Sequence, residues 1–161
     1  MPEMLNIAST TDREVRYDAL LPQAAALVAE GPDMVGAMAN LAAAIHDTFA
    51  FLWVGFYRVV GNELHLGPFQ GPIACTRIAY GKGVCGSAWK EGRTLVVPDV
   101  DAFPGHIACS SEARSEIVVP VRDRSGNLVA VLDVDSTEKG GLDERDARGL
   151  ERVAQLLDRW A

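Results

Sequence analysis

The sequence predicts an α+β fold, an antiparallel sheet with helices on one face and loops on the other. Two helical patterns come first. Two runs of β-branched and aromatic residues, each folding back on itself, occupy the middle, and a strongly amphipathic helix closes the chain. The order is thus helix, helix, hairpin, excursion, hairpin, helix.

Each element has a local cause. From Asp12, a candidate cap, Val15, Leu20, Leu21, Ala24, Ala25 and Val28 recur at helical spacing; Pro22 is a point of kinking, and Gly31-Pro32 ends the segment. Asp33 starts a second helix whose stripe, Met34, Met38, Leu41, Ala42, Ile45 and Phe49, reads as core packing. Phe51 to Val60 is a buried strand, Gly61-Asn62 a hairpin turn, and Glu63 to Phe69 the return strand. Residues 70–78 form a broken, edge-like stretch, because proline is kept to edges and bulges. Gly81 to Gly86 opens a short helix, Ser87 to Lys90, ended by Gly92. Its glycines could seat an anion, but they match neither a phosphate loop nor a dinucleotide fingerprint. Thr94 to Pro98 is a short strand, followed by the loop Asp99 to Ala108. Ile117 to Arg122 and Leu128 to Val134 pair around Ser125-Gly126-Asn127. Asp143 to Trp160 is a helix with Leu150, Val153, Leu156 and Leu157 on one face.

A length of 161 residues, with 48% apolar and 23% charged residues, fits one domain over 1–161, its residues 1–11 loosely held, with no repeat or linker. A net charge of -7 argues against nucleic acid or an anionic membrane as partner. No apolar run approaches the roughly 18 residues of a membrane span, and the N-terminus lacks a signal-peptide pattern. The expected address is the cytoplasm, where thiols stay reduced and a disulfide is more often catalytic or sensory than structural.

Chemistry concentrates in the thiols Cys75, Cys85 and Cys109 and in three carboxyls. The cysteines occupy segments punctuated by glycine and proline, which suggests a redox site on loops; as single residues each reads first as a small buried hydrophobe, and the three together leave the two readings even. Zinc is disfavoured because the gaps between cysteines are ten and twenty-four residues, not those of close ligand pairs. His106 is a candidate base for Cys109 or a further ligand, and a structural role fits it as well. Glu116 stands at the mouth of an apolar strand. Asp133 and Asp135 share a strand face with Val131, where burial and like charge favour the protonated form; a solvated strand end is the plainer alternative.

Four blocks, GPFQGPIACTRIAYGKGVCGSAW over 67–89, VVPDVDAFPGHIAC over 96–109, SEIVVPV over 115–121 and VLDVDS over 131–136, resemble the free methionine-(R)-sulfoxide reductases, which are built on a GAF domain. The resemblance covers residues 33–157 and rests on the spacing of all three cysteines. It implies a single GAF domain with a central antiparallel sheet of about six strands and a small-molecule pocket under loops. It implies reduction of free methionine (R)-sulfoxide without metal or organic cofactor, reset by a thioredoxin-like dithiol, as an oxidative-stress function. By the same resemblance Cys109 is the attacking thiol, Cys75 the resolving one and Cys85 an auxiliary one. Trp53 and Tyr57 pack on the substrate, while Glu116, Asp133 and Asp135 hold its amino group and sulfoxide oxygen, with Glu116 or Asp135 as proton donor. Ser110 stands where the family usually has Asp, and Ala113 where Ser is common, so a hydrogen bond in the cysteine loop is expected to weaken. The alternative is a non-catalytic GAF module that binds a small ligand or senses redox state. A homodimer through the helix carrying Leu156, Leu157 and Trp160 is one arrangement open to the chain; packing of that helix on its own sheet is the other.

Overall fold

The computed structural model describes residues 4–7 and 9–160. Helices α1 (Arg13–Ala29) and α2 (Met34–Phe49) precede strands β1 (Trp53–Val60), β2 (Glu63–Gln70) and β3 (Arg77–Ala79). Helix α3 (Gly83–Glu91), strand β4 (Leu95–Val97), a 3-10 turn (Val100–Ala102), strands β5 (Ser115–Arg122) and β6 (Leu128–Ser136) and helix α4 (Glu144–Gln155) follow. The six strands form one sheet in the order β3-β2-β1-β6-β5-β4, and every neighbouring pair is antiparallel. The α+β architecture expected from the sequence is the one observed.

Capping acts as the residue types predict. The Asp12 carboxylate accepts the N–H groups of Glu14 and Val15, and the Asp33 carboxylate accepts that of Gly36. Pro22 lies inside α1 without dividing it. The last helix stops earlier than its apolar pattern suggested: α4 ends at Gln155, and residues 156–159 form turns. Leu157 is nevertheless fully buried, with Leu156 and Trp160 packed alongside, so these side chains serve the chain's own core. Of the segment expected to be loose, residues 1–3 and 8 lie outside the described residues. Leu5 and Ile7 pack against the core, and the Gln23 amide exchanges hydrogen bonds with the Asn6 backbone at 2.7 and 2.9 Å.

The two prolines in strands sit where a missing N–H is tolerated. Pro68 lies at the irregularity where β2 slips against β1 between Gly55 and Tyr57. Pro120 lies past the reach of β4, which pairs only with Glu116, Ile117 and Val118.

Strand alternation divides the core in two. On one face Val54, Phe56, Ile117, Val119, Leu132 and Val134 meet α1, α2 and α4. On the other, Trp53, Tyr57, Val118 and Val131 meet α3 and the loops that hold the cysteines. No helix among the described residues is long and apolar enough to cross a membrane.

Asp146 joins α4 to α1. It is fully buried, pairs with Arg13, accepts from the Tyr17 hydroxyl at 3.0 Å and caps its own helix through the Asp143 N–H at 3.1 Å. Removing Asp146 leaves the buried Tyr17 hydroxyl and the Asp143 N–H without their acceptor, while the partly exposed Arg13 can turn to water. Asp146→Ala is expected to lower stability to urea by about 1 to 3 kcal/mol. A loss under about 1 kcal/mol would mean that the network contributes little net stability.

Candidate active site

Three strands build the floor by register. Asp135 on β6 lies opposite both Trp53 on β1 and Glu116 on β5, so these side chains form one row across the sheet. In the next row Asp133 faces Gly55 and Val118. Gly55 leaves the room Trp53 needs: a Cβ there would lie 2.4 Å from the Trp53 ring and 2.4 Å from Phe69 Cβ. Trp53 stacks between Phe69, at a centroid distance of 5.2 Å, and Tyr57, at 5.9 Å. The polar tips are anchored: the Trp53 indole donates to Pro72 O at 3.0 Å and the Tyr57 hydroxyl to Cys75 O at 2.9 Å.

The roof comes from two loops. Cys75, just before β3, and Cys109, after the Pro104-Gly105 turn, are joined in a disulfide with Cα atoms 5.6 Å apart. Their loops close over a cavity lined by Trp53, Tyr57, Cys85, Cys109, Glu116, Asp133 and Asp135. Every candidate from the sequence is therefore at this cavity or, for Cys75, bonded to a residue that lines it. Cys85 differs from expectation in its setting. It lies not on a loop but in the first turn of α3, which starts at Gly83, earlier than the expected Ser87; it is buried and reduced. The helix starts early because the Gly86 N–H already bonds the Lys82 carbonyl at 2.9 Å, and only glycine suits position 83, with φ +62 and a Cβ that would lie 2.9 Å from Ile107 of the cysteine loop.

Burial decides the electrostatics. Glu116 is pushed up to about 8 by desolvation first and by Asp135 second, with a polar contact from Asp133 pulling it partly back. Asp133 and Asp135 are held well above the ordinary carboxyl range, again by burial first and by their acidic neighbours next. The Cys85 thiol is raised by burial and by the charges of Asp133 and Glu116. A solvated strand end is thus not what the two aspartates form. His106 is lowered by burial, against a smaller opposing effect of Asp101. Its Nε2 lies 3.4 Å from Glu116 Oε2, so it addresses the carboxyl floor, a role not read from its place three residues before Cys109. Ser110 accepts the Glu112 N–H at 3.3 Å, so the loop retains a side-chain acceptor there, while Ala113 is buried at the lining.

Lys82 and Ile107 also line the cavity and were not foreseen as site residues. Lys82 sits inside the Gly81-Lys82-Gly83 signal for a helix start. Ile107 carried no signal in the sequence, because its role depends on how the loop folds over α3.

Glu116 makes stability depend on pH in a definite direction. Between its ordinary value of 4.5 and its folded value of about 8, the folded chain keeps a proton that the unfolded chain has released. Stability therefore falls as pH rises through that window, by up to about 1.4 kcal/mol per pH unit for one proton. Urea unfolding followed from about pH 5 to about pH 8 should show this fall, and Glu116→Gln should flatten it. Equal slopes in the two proteins would refute the assignment.

Comparison with known proteins agrees with this architecture. The GAF domain family profile matches residues 32–158. GAF domain-containing protein A of Dictyostelium discoideum is 51% identical over 98% of this chain and 99% of its own. The free methionine-R-sulfoxide reductase of Escherichia coli is 38% identical over 83% of this chain and 81% of its own. A solved structure of the free methionine-R-sulfoxide reductase from Neisseria meningitidis, in complex with its substrate, superposes with a TM-score of 0.92 at 49% identity, covering 96% of this chain and 94% of that one. A redox-capable cysteine pair above a carboxyl floor, on a six-stranded antiparallel sheet, thus sits in a chain that belongs to the GAF domain family, in the branch that holds the free methionine-R-sulfoxide reductases.

Proposed function

We propose that this chain reduces free methionine (R)-sulfoxide to methionine with its own thiols. The observation that carries the reading is the Cys75–Cys109 disulfide lying over a cavity with two buried carboxyls, Glu116 and Asp133, the half-buried Asp135 and two aromatic rings. A disulfide in that place is what a thiol reductase leaves behind after one turnover.

The reaction begins from the reduced pair. The Cys109 thiolate attacks the sulfoxide sulfur, since the thiolate is the nucleophilic form. Glu116, protonated at neutral pH by its burial, gives its proton to the departing oxygen, and Asp135 beside it is the other candidate donor. Methionine leaves, and Cys109 carries the oxygen as a sulfenic acid. The Cys75 thiol then condenses with it, forming the disulfide and releasing water. The two thiols together lose two electrons and the sulfoxide sulfur gains them. A thioredoxin-type dithiol of a reducing cytoplasm returns the pair to thiols by exchange. Neutral His106 beside Glu116 offers a route by which the carboxyl regains its proton.

The rest of the cavity suits a free amino acid. Trp53 and Tyr57 offer an apolar wall to the methyl and methylene groups. Asp133 and Asp135 offer charge to the ammonium, releasing a proton as they do so. Lys82, exposed at the rim, and the free N–H groups at the start of α3 suit the carboxylate. Peptide-bound methionine sulfoxide lacks both end charges and would leave these groups unpaired.

Oxidation of NADPH by the purified protein with thioredoxin and thioredoxin reductase tests the reading. Turnover is expected with free methionine (R)-sulfoxide and not with the S epimer or with oxidised protein. Cys109→Ser should abolish it. Cys75→Ser should release about one methionine per chain and then stop turning over with thioredoxin. Glu116→Gln should lower kcat by about 10² to 10⁴, and the wild-type rate should decline as pH rises through about 8. A folded, fully reduced protein with no turnover would leave a ligand-sensing GAF module in place of the enzyme.

A further inference from the structure

The proposed chemistry leaves one thiol without a task. Cys85 is 3% exposed, and its Sγ makes a long contact of 4.0 Å with Glu116 Oε1. Ligand atoms of Cys85, Glu116 and Asp133 all lie within 4.8 Å of one another, although the residues come from α3, β5 and β6. Asp133 is 7% exposed, lines the same cavity, and its buried Oδ1 has no hydrogen-bond partner among the described residues. A buried carboxyl oxygen without a partner is unfavourable and suits a donor or, once the carboxyl ionises, a cation.

We propose that Cys85, Glu116 and Asp133 form a binding site for a thiophilic divalent cation, with Zn2+ the best match. Sulfur and two carboxylate oxygens are zinc ligands, whereas Mg2+ and Ca2+ take oxygen alone. Zinc holds such ligands at about 2.0 to 2.3 Å, which places neighbouring ligand atoms about 3.3 to 3.8 Å apart. The Cys85–Glu116 contact of 4.0 Å and the 4.8 Å limit of the cluster lie within about 1 to 1.5 Å of that spacing. His106, with Nε2 3.4 Å from Glu116 Oε2, is next in line as a fourth ligand. Linear spacing argued against zinc because it considers cysteine pairs close in sequence. This set is assembled instead across 31 residues from Cys85 to Glu116 and across the sheet from there to Asp133.

The site survives oxidation. With Cys75 and Cys109 joined, Cys85 is the remaining thiol, so the disulfide form still binds the cation. The cation site does not depend on the proposed reductase function. Its consequence for activity does: a metal there occupies Glu116 and Asp133, so metal and methionine sulfoxide exclude each other. An ammonium group would also satisfy Asp133, but it has no need of a thiolate, and Cys85 therefore separates the two occupants.

The test uses the full chain in its disulfide form, stripped with a chelator and titrated with Zn2+ against a chromophoric competitor. About one Zn2+ per chain is expected, with binding weakened about 10- to 100-fold in Cys85→Ala and in Glu116→Gln, each checked for folding by circular dichroism. Co2+ should give a thiolate-to-cobalt charge-transfer band that Cys85→Ala removes. Absence of binding, affinity unchanged in both variants, or a cobalt complex without the thiolate band would overturn the proposal. Added free methionine (R)-sulfoxide should weaken the apparent zinc affinity. If zinc binds through Cys85 but this competition and NADPH turnover both fail, the reductase reading falls and the cation site stands.

Discussion

The antiparallel register of β1, β6 and β5 is the constraint on which this molecule depends. It places Trp53, Asp135 and Glu116 in one row and Gly55, Asp133 and Val118 in the next. A slip of one residue would turn all of these toward the helices and bring Val54, Ile117 and Val134 to the cavity. The apolar contact with α1, α2 and α4 forbids that slip, because it would bury carboxyls in the helix-packed core. The packing of one face therefore fixes the chemistry of the other.

Burying Glu116, Asp133 and Asp135 together is unfavourable for their charged forms, and the fold accommodates them by keeping protons on them. That accommodation is useful. In the proposed reaction such a cavity offers proton donors, and in both proposals it becomes a charged clamp only when a cation enters. An ammonium group and a metal ion are two ways to satisfy the same floor, and they differ in whether the Cys85 sulfur takes part. The covering loops hold the disulfide separately. The Cys75 loop is tied to the floor by the Tyr57 hydroxyl on Cys75 O, and the Cys109 loop packs its Ile107 side chain at Gly83 of α3.

Much of this was legible in the sequence because its causes are local. The caps at Asp12 and Asp33, the Gly61-Asn62 turn and the alternation that set Asp133 and Asp135 beside Val131 need only neighbouring residues. The early start of α3 and the early end of α4 were not legible. The first depends on a first-turn bond from Gly86 N–H to Lys82 O in a segment crowded by Ile107, and the second on Leu157 turning into the core. The role of His106 was missed for a similar reason: nearness in sequence pointed to Cys109, while the loop's path carries the imidazole to Glu116.

By itself the sequence determined the class of fold, the elements and their polarity, and the thiols, carboxyls and aromatics that meet at the cavity, since hydrophobic period, capping and turn propensity act over a few residues. The blocks around the three cysteines also carried the family resemblance. Only the tertiary structure decided which groups meet. Strand register, 17 residues apart in the chain from Glu116 to Asp133, and the fold of two loops over a helix set the distances, and burial then set the protonation. Those are properties of contacts between distant segments, which no local pattern encodes.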